Sequence, residues 1–260
     1  MEMKTPLLRQ EFLDFKINEY LPGFREEHKE EYDIIFDFIK ILNSIEVYFT
    51  GKADTQQAKY LLSYIVELDK LFQSTILMFE RGLPRSANIL IRSILEVSLN
   101  IVDIIKNEKH VQDKLSISAN EILHSLNIIE KQKMFDVFSE EKILELKKIA
   151  SSMAGKKIAQ QYKPNKLSEK YGFFFEYLLY RKYCEDTHMS IDALIKNISD
   201  FQEKVIIEKD FDFKDFKNNV FVLTSCANVA IATLLNEYLK DNKLICAYDL
   251  TLSKMEKVFT

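Results

Sequence analysis

Arg181 and His188 are the residues of this sequence whose types and spacing best suit chemistry without a cofactor. They lie seven positions apart at the end of a run with a helical pattern, which would put them about 20° apart on one helix face. Arg is a permanent cation that binds phosphate oxygens, and His transfers a proton near neutral pH. Together they suit metal-independent cleavage of a phosphodiester. The alternative is a chance pair in which the histidine only caps a helix end.

A second group of polar residues follows one line of a strongly apolar segment. At 100° per residue, Arg85, Arg92, Glu96 and Asp103 fall within about 20° of one line along the helix, with Asn100 about 60° to one side. The remaining arc is apolar and wider than a surface helix needs, which predicts burial on several sides. The polar line is either a solvated face with an Arg92–Glu96 ion pair or the lining of a phosphate-binding groove. The sequence leaves both interpretations open, and Arg85, Arg92, Glu96 and Asn100 are the candidate binding residues.

Tyr180 and Tyr183 are candidates for stacking an unpaired RNA base, although tyrosines at helical spacing more often belong to a core. The lysine-rich stretch 155–170 is predicted to be a loop, which either holds RNA backbone or is simply solvated. Cys184 and His188 share a C-x3-H spacing, but no second ligand pair accompanies them. We therefore expect no metal and no cofactor.

Composition restricts the fold and the partners. The chain has 260 residues, of which 47% are hydrophobic, and only 5 Gly and 4 Pro, which favours long helices over turn-rich sheets. A net charge of -4 argues against a broad nucleic-acid coat, so any such contact should be confined. Neither a signal peptide nor a run of 18 apolar residues is evident, so we expect a cytoplasmic protein without membrane contact.

Apolar residues recur mainly at intervals of three and four, which predicts an all-α, multi-helix bundle with long antiparallel helices. Helices are predicted over Leu8–Tyr20, Arg25–Phe49, Asp54–Glu80, Arg85–Lys106, 111–135, 139–154, Leu167–Glu185, Ser190–Phe201 and Phe216–Lys240, with a shorter one at the C-terminus. The stretch 204–213 is the one expected extended segment. Residues 1–80 are predicted to form an N-terminal helical extension and 81–260 a helical domain, with one continuous domain as the alternative.

An all-α chain with Arg, six residues and His at the C-terminal end of a long helix resembles the HEPN superfamily. The segment 84–96, taken together with 183–188, also resembles a family of bacterial helical proteins, some found in phage-defence settings. The resemblance covers roughly 80–240. It implies that Arg181 binds the scissile phosphate and that His188 acts as general base or acid. Lys182 departs from the Asn, Asp or His of many active members, and this departure is compatible with a member that binds RNA without cutting it.

The resemblance implies a metal-independent endoribonuclease, acting as a toxin or phage-defence effector. RNA would be the substrate, a homodimer would bring two motifs to one cleft, and an antitoxin or another protein would be a further partner. The main alternative is a non-catalytic helical module in which the polar line recognises a nucleotide or a protein. A third interpretation is a structural dimerising domain whose interface is the apolar arc of the segment 85–106.

Overall fold

The fold is given by a computed structural model, which describes residues 16–132, 139–155, 159–187, 198–201, 204–207 and 216–259. The described chain is predominantly helical, which confirms the predicted all-α class. The helices are α1 Lys16–Glu27, α2 Lys29–Phe49, α3 Gln56–Glu80, α4 Pro84–Lys106, α5 His110–Lys131, α6 Glu140–Met153, α7 Pro164–Tyr171, α8 Phe174–Thr187, α9 Phe216–Thr233 and α10 Asn242–Phe259. Two short strands, β1 Ile198–Phe201 and β2 Lys204–Ile207, form a hairpin.

Local sequence signals set several helix starts. Pro84 begins α4, where its missing N–H costs no hydrogen bond, as predicted. Ser139 caps α6 by accepting the backbone N–H three residues on, also as predicted. Helix α3 has the same kind of cap, but Thr55 provides it rather than the expected Asp54. The two residues are adjacent and both are good caps, so the sequence placed the boundary correctly to within one position.

The predicted end of the first helix before Pro22 is wrong, because α1 continues through Pro22 to Glu27. Phe24, directly beyond the Pro-Gly pair, is almost fully buried. Its ring packs 4.9 Å, centroid to centroid, from that of Phe216 in α9. Tertiary burial of this aromatic side chain therefore outweighs the local tendency of Pro22 to break the helix.

The stretch 155–170 is not the predicted loop. It contains a short 3₁₀ turn at Ala159–Tyr162 and helix α7. Lys166 and Lys170 are exposed on α7, while Leu167 is buried, so this helix is amphipathic. The single helix predicted over Leu167–Glu185 is likewise divided into α7 and α8. Gly172 ends α7 in the left-handed conformation, with φ of +82°, and its N–H donates to the carbonyl of Ser168.

Residues 198–201 are a strand and not the end of the helix predicted over Ser190–Phe201. In the antiparallel hairpin Ile198 pairs with Ile207 and Phe201 with Lys204. Branched side chains on both strands favour extended structure once a partner is next to them, and periodicity alone does not show that pairing. The expected extended segment is confirmed over 204–207. Residues 190–197 and 208–213 lie outside the described part of the chain.

Helix α4 lies in the core of the bundle, where it packs against α3, α8 and α9. Its apolar arc is fully buried at Ile91, Ile94, Leu95, Leu99, Ile101, Val102 and Ile104. The interpretation of this arc as a dimer interface is therefore wrong, since the chain's own helices cover it. The same buried cluster contains residues on both sides of position 80. The division into an extension and a domain stays a prediction.

Helix α9 passes into a wider, π-type turn over Leu234–Leu239, so the helix predicted over Phe216–Lys240 is confirmed almost to its end. Within the described residues, Phe216–Leu239 is long and apolar enough to cross a membrane by length and composition, and 67% of its apolar window is buried in the protein. A core helix meets the same two criteria. The apolar composition of α9 is accounted for by its packing against α4 and α2.

Candidate functional site

Helix α8 carries Arg181 and Lys182 on its exposed surface. The helix packs against α4 and ends at Thr187, two residues beyond the predicted end. His188 follows Thr187 directly in the sequence and lies outside the described residues. The distance between the Arg181 and His188 side chains therefore stays a prediction.

Tyr180, the residue before Arg181, joins α8 to α4. Its hydroxyl donates to Glu96 Oε1 at 2.9 Å and accepts from Arg92 Nε at 3.2 Å. Arg92 Nη2 also lies 3.2 Å from the same carboxylate oxygen, one helical turn away on α4. Three polar groups thus form a closed triangle between the helices. This triangle holds the backbone next to Arg181 against α4.

The surroundings of Tyr180 decide what its ring can do. The residue is 8% exposed, and the ring of Tyr177 stacks on it with a centroid separation of 5.6 Å. The Arg92 guanidinium lies over it, 5.5 Å from the centroid. These neighbours leave Tyr180 almost fully buried, so the predicted stacking of an RNA base on its ring does not fit this conformation. The side chain of Tyr183 lies outside the described part.

The predicted polar line of α4 is brought together only in part. Arg92 and Glu96, with side chains 28% and 39% exposed, bind each other and Tyr180. Asn100 donates to the backbone carbonyl of Glu96 at 2.6 Å, and its buried Oδ1 has no hydrogen-bond partner among the described residues. Arg85 is the second residue of α4, and its side chain lies outside the described part of the structure. The line is mainly an internal contact between helices.

Asp103, the last residue of this line, is the centre of a second polar cluster. The carboxylate is fully buried and accepts hydrogen bonds from His110 Nδ1 at 2.6 Å, Lys170 Nζ at 2.7 Å and Asn107 Nδ2 at 3.2 Å. The hydroxyl of Tyr171 also donates to it. Burial alone would raise the pKa of Asp103, but these hydrogen bonds outweigh burial and hold that pKa well below its usual range. The cluster fastens α7, and with it the start of α8, to α4.

Sequence reasoning placed Asp103 on the polar line but gave it no partners. Its donors come from Asn107 directly after α4, from the first residue of α5 and from α7. No local motif joins them, because the contacts depend on how three helices pack. An Asp on a helix otherwise buried all round was the available signal, since such a carboxylate is costly unless it is paired.

A family model described as a family of unknown function, DUF5677, matches residues 58–205. The match covers more than half of the chain. The chain belongs to this family. No curated protein and no solved structure matched it.

In this DUF5677 protein both polar clusters lie inside the matched region, as do Arg181 and His188. The region runs from the first turn of α3 into strand β2 and so includes the whole contact between α4 and the α7–α8 pair. Helices α1, α2, α9 and α10 complete the core from outside the region. The family match thus coincides with the helices that position Arg181.

His110 is the part of the second cluster that looks most like catalytic machinery. Its Nδ1 is held by Asp103, and its buried Nε2 has no hydrogen-bond partner among the described residues. The rings of Tyr64 and Tyr162 pack edge-on around it, with centroids 6.0 and 5.5 Å away. The imidazole is completely buried, so a substrate has no access to it in this conformation. The cluster acts as a structural contact.

In the described ranges, His, Cys, Asp and Glu side chains nowhere form a group of three or more that could hold a metal ion. Lys114 and Lys170 instead place cations near the acidic side chains. Lys114 Nζ lies 4.8 Å from the centroid of the Tyr162 ring, and burial lowers its pKa.

Proposed function

We propose that this DUF5677 protein is a metal-independent endoribonuclease of HEPN type, in which Arg181 and His188 carry the reaction. One observation supports this best. Arg181 is exposed on α8, and that helix ends at Thr187, directly before His188 in the sequence. An exposed arginine on a helix, seven residues before a histidine in the sequence, agrees with the pattern that the HEPN resemblance implies.

The proposed reaction needs only these two groups and the RNA itself. His188 takes the proton from a ribose 2′-hydroxyl, and the 2′-oxygen attacks the adjacent phosphorus in line. The bond from phosphorus to the 5′-oxygen breaks, that oxygen takes a proton from water, and His188 returns its proton to the solvent. The products are a 2′,3′-cyclic phosphate and a 5′-hydroxyl. Arg181 stabilises the negative charge that builds on the phosphate oxygens in the transition state.

The triangle of Tyr180, Glu96 and Arg92 supports a precise position for Arg181. Catalysis by a positioned cation loses efficiency when the group is misplaced by even about 1 Å. A hydroxyl held by two charged partners fixes the residue next to Arg181 against the buried helix α4. In this proposal Arg92 and Glu96 are positioning residues.

The wider proposal follows the same resemblance. The protein would act in the cytoplasm as a toxin or phage-defence effector, with RNA as its substrate. It would function as a homodimer and be restrained by an antitoxin or another protein partner. A non-catalytic helical module that recognises a nucleotide or protein is the alternative, and the experiment below separates the two.

The test is incubation of purified protein with RNA in EDTA. We expect cleavage by the parent and a loss of at least about 100-fold in both Arg181→Ala and His188→Ala. His124 and Lys148 are exposed on α5 and α6, so His124→Ala and Lys148→Ala are the matched controls and should retain full activity. Circular dichroism of each variant checks the fold. Equal cleavage by all variants, or RNA binding without cleavage by the parent, would remove the enzyme proposal.

A further inference from the structure

Three large apolar side chains are exposed on α8. Phe174, Phe175 and Leu178 are 60%, 54% and 66% exposed. Among the phenylalanines whose side chains are described, Phe36 of α2 is the other exposed one, at 47%. Adjacent exposed aromatic residues on one helix indicate a contact surface more often than scattered single ones do.

These side chains share one face with the two cations of the helix. Taking Phe174 as zero at 100° per residue, Leu178 lies at about 40°, Arg181 at about -20°, Lys182 at about 80° and Phe175 at about 100°. All five are exposed and lie in one arc of about 120°. We call this set the α8 stripe. Tyr180 points away from it, toward α4.

The α8 stripe has two chemically different halves. Its N-terminal half is aromatic and aliphatic, and its C-terminal half contains the two cations Arg181 and Lys182, with Glu185 at about 20° on the same wheel. At 1.5 Å per residue Phe175 and Phe174 lie about 9 and about 10.5 Å from Arg181 along the helix axis. A single nucleic-acid strand offers matching groups at a short spacing, since an unpaired base stacks on an aromatic ring and the neighbouring phosphate binds a cation.

We infer that the α8 stripe binds single-stranded RNA, with the scissile phosphate at Arg181 and Lys182 and a nearby unpaired base on Phe174 or Phe175. This inference rests on the proposed function and names its substrate class. Paired bases are stacked inside a duplex and present no face to a ring, so the surface selects single strands. In this inference Phe174 or Phe175 stacks the base instead of Tyr180, and neither phenylalanine was a candidate from the sequence.

Because the net charge is -4, the affinity in this inference depends mainly on stacking. A protein without a broad basic surface gains little affinity from release of counterions, so the remaining affinity must come from contacts with the bases. Two phosphate contacts to a single strand give a slope of about -1.4 for log K against log salt. A weak salt dependence together with a strong aromatic dependence is the signature of this surface.

The experiment measures binding apart from cleavage. Fluorescence anisotropy of a labelled 2′-O-methyl oligouridylate in EDTA reports binding to a strand that cannot be cut by attack of the 2′-oxygen. The double variant Phe174→Leu/Phe175→Leu keeps apolar side chains but removes the rings. We expect its affinity to fall by at least about fivefold with an unchanged salt slope. Phe36→Leu, at an exposed phenylalanine of α2, is the matched control and should bind like the parent.

Removal of the two cations should change the salt dependence of binding, which removal of the rings leaves unchanged. We expect Arg181→Ala/Lys182→Ala to reduce the salt slope toward zero. Duplex RNA should bind weakly and equally to the parent and to the phenylalanine variant. Unchanged oligouridylate binding in the phenylalanine variant would overturn the inference, as would an equal loss for duplex. So would sedimentation showing that the variant dissociates a parent dimer while its RNA affinity is unaltered, because the surface would then be a contact between two copies.

The two proposals fail separately. If the phenylalanine variant loses oligouridylate binding but the parent never cuts unmodified RNA, the binding surface stands and the nuclease proposal falls. If the parent cuts RNA through Arg181 and His188 but the phenylalanine variant binds and cuts normally, the nuclease stands and the assignment of the α8 stripe falls.

Discussion

A single tyrosine hydroxyl links the centre of the protein to the proposed site. Tyr180 is bonded to Glu96 and Arg92 of α4 and is next to Arg181 in sequence. The polar line of α4 was visible in the sequence, but its partner was not. Helical spacing shows which residues share a face and does not show which helix covers that face.

We predict that Tyr180→Phe destabilises the protein by about 1 to 2 kcal/mol, because a half-exposed ion pair loses one hydrogen-bond partner. Urea denaturation measures the change in free energy of unfolding. Cleavage should fall as well, since α8 is held less firmly beside Arg181. Tyr238→Phe, at an exposed tyrosine in the π-type turn after α9, is the control and should leave both unchanged. Equal stability of Tyr180→Phe and the parent would contradict the anchoring role.

The second residue-scale prediction concerns Asp103. Its folded-state pKa is depressed, so its contribution to stability is present above the unfolded-state pKa of about 3.9 and is lost as the pH falls toward the folded-state pKa. We expect Asp103→Asn to cost about 3 kcal/mol at neutral pH, because Lys170 and His110 lose a buried anionic partner.

The same substitution should cost progressively less below about pH 4, where the unfolded parent chain takes up the proton more readily. Urea denaturation at neutral and acidic pH measures this difference. Asp33→Asn, on the exposed face of α2, is the matched control and should show little cost at either pH. A cost for Asp103→Asn that did not vary with pH would mean that packing of the side chain, rather than its charge, is what matters.

At the level of elements, the break between α7 and α8 sets where α8 begins. Gly172 takes a left-handed conformation there, and a Cβ at this position would meet no atom within 4 Å. Any cost of adding one is therefore conformational. Gly23 offers a matched comparison, because it lies within helix α1 and also has nothing within 4 Å of an added Cβ.

We predict opposite signs for the two glycines. Gly172→Ala should destabilise by about 1 to 2 kcal/mol, because alanine is strained in the left-handed region. Gly23→Ala should stabilise by about 0.5 to 1 kcal/mol, because alanine loses less conformational freedom in a helix. Thermal unfolding followed by circular dichroism measures both changes. A stable Gly172→Ala variant would indicate that α7 and α8 can join without the break.

Elements that depend on local signals were predicted well, and those that depend on tertiary partners were not. Pro84 and Ser139 mark helix starts through their own chemistry, and both predictions are confirmed. Pro22 was expected to end a helix, but burial of Phe24 carries α1 past it. Strand β1 was predicted as helix, because its extended state depends on pairing with β2.

On the scale of the whole molecule, α4 organises the protein. Its apolar arc is the core shared by α3, α8 and α9, and its polar line fastens α7 and α8 at two points, Glu96 and Asp103. The width of the arc predicted burial on several sides, which the fold confirms. Helix α4 thus holds α8 in a fixed position, with Arg181 on the exposed face of α8. The match to DUF5677 covers these same helices.

The central claim is that Arg181 and His188 cut RNA through its own 2′-hydroxyl, and the ends of the products test it most directly. RNA incubated with the parent in EDTA should yield fragments with 2′,3′-cyclic phosphate and 5′-hydroxyl ends, and Arg181→Ala and His188→Ala should yield none above background. Fragments with 3′-hydroxyl and 5′-phosphate ends, or intact RNA after incubation with the parent, would contradict the claim.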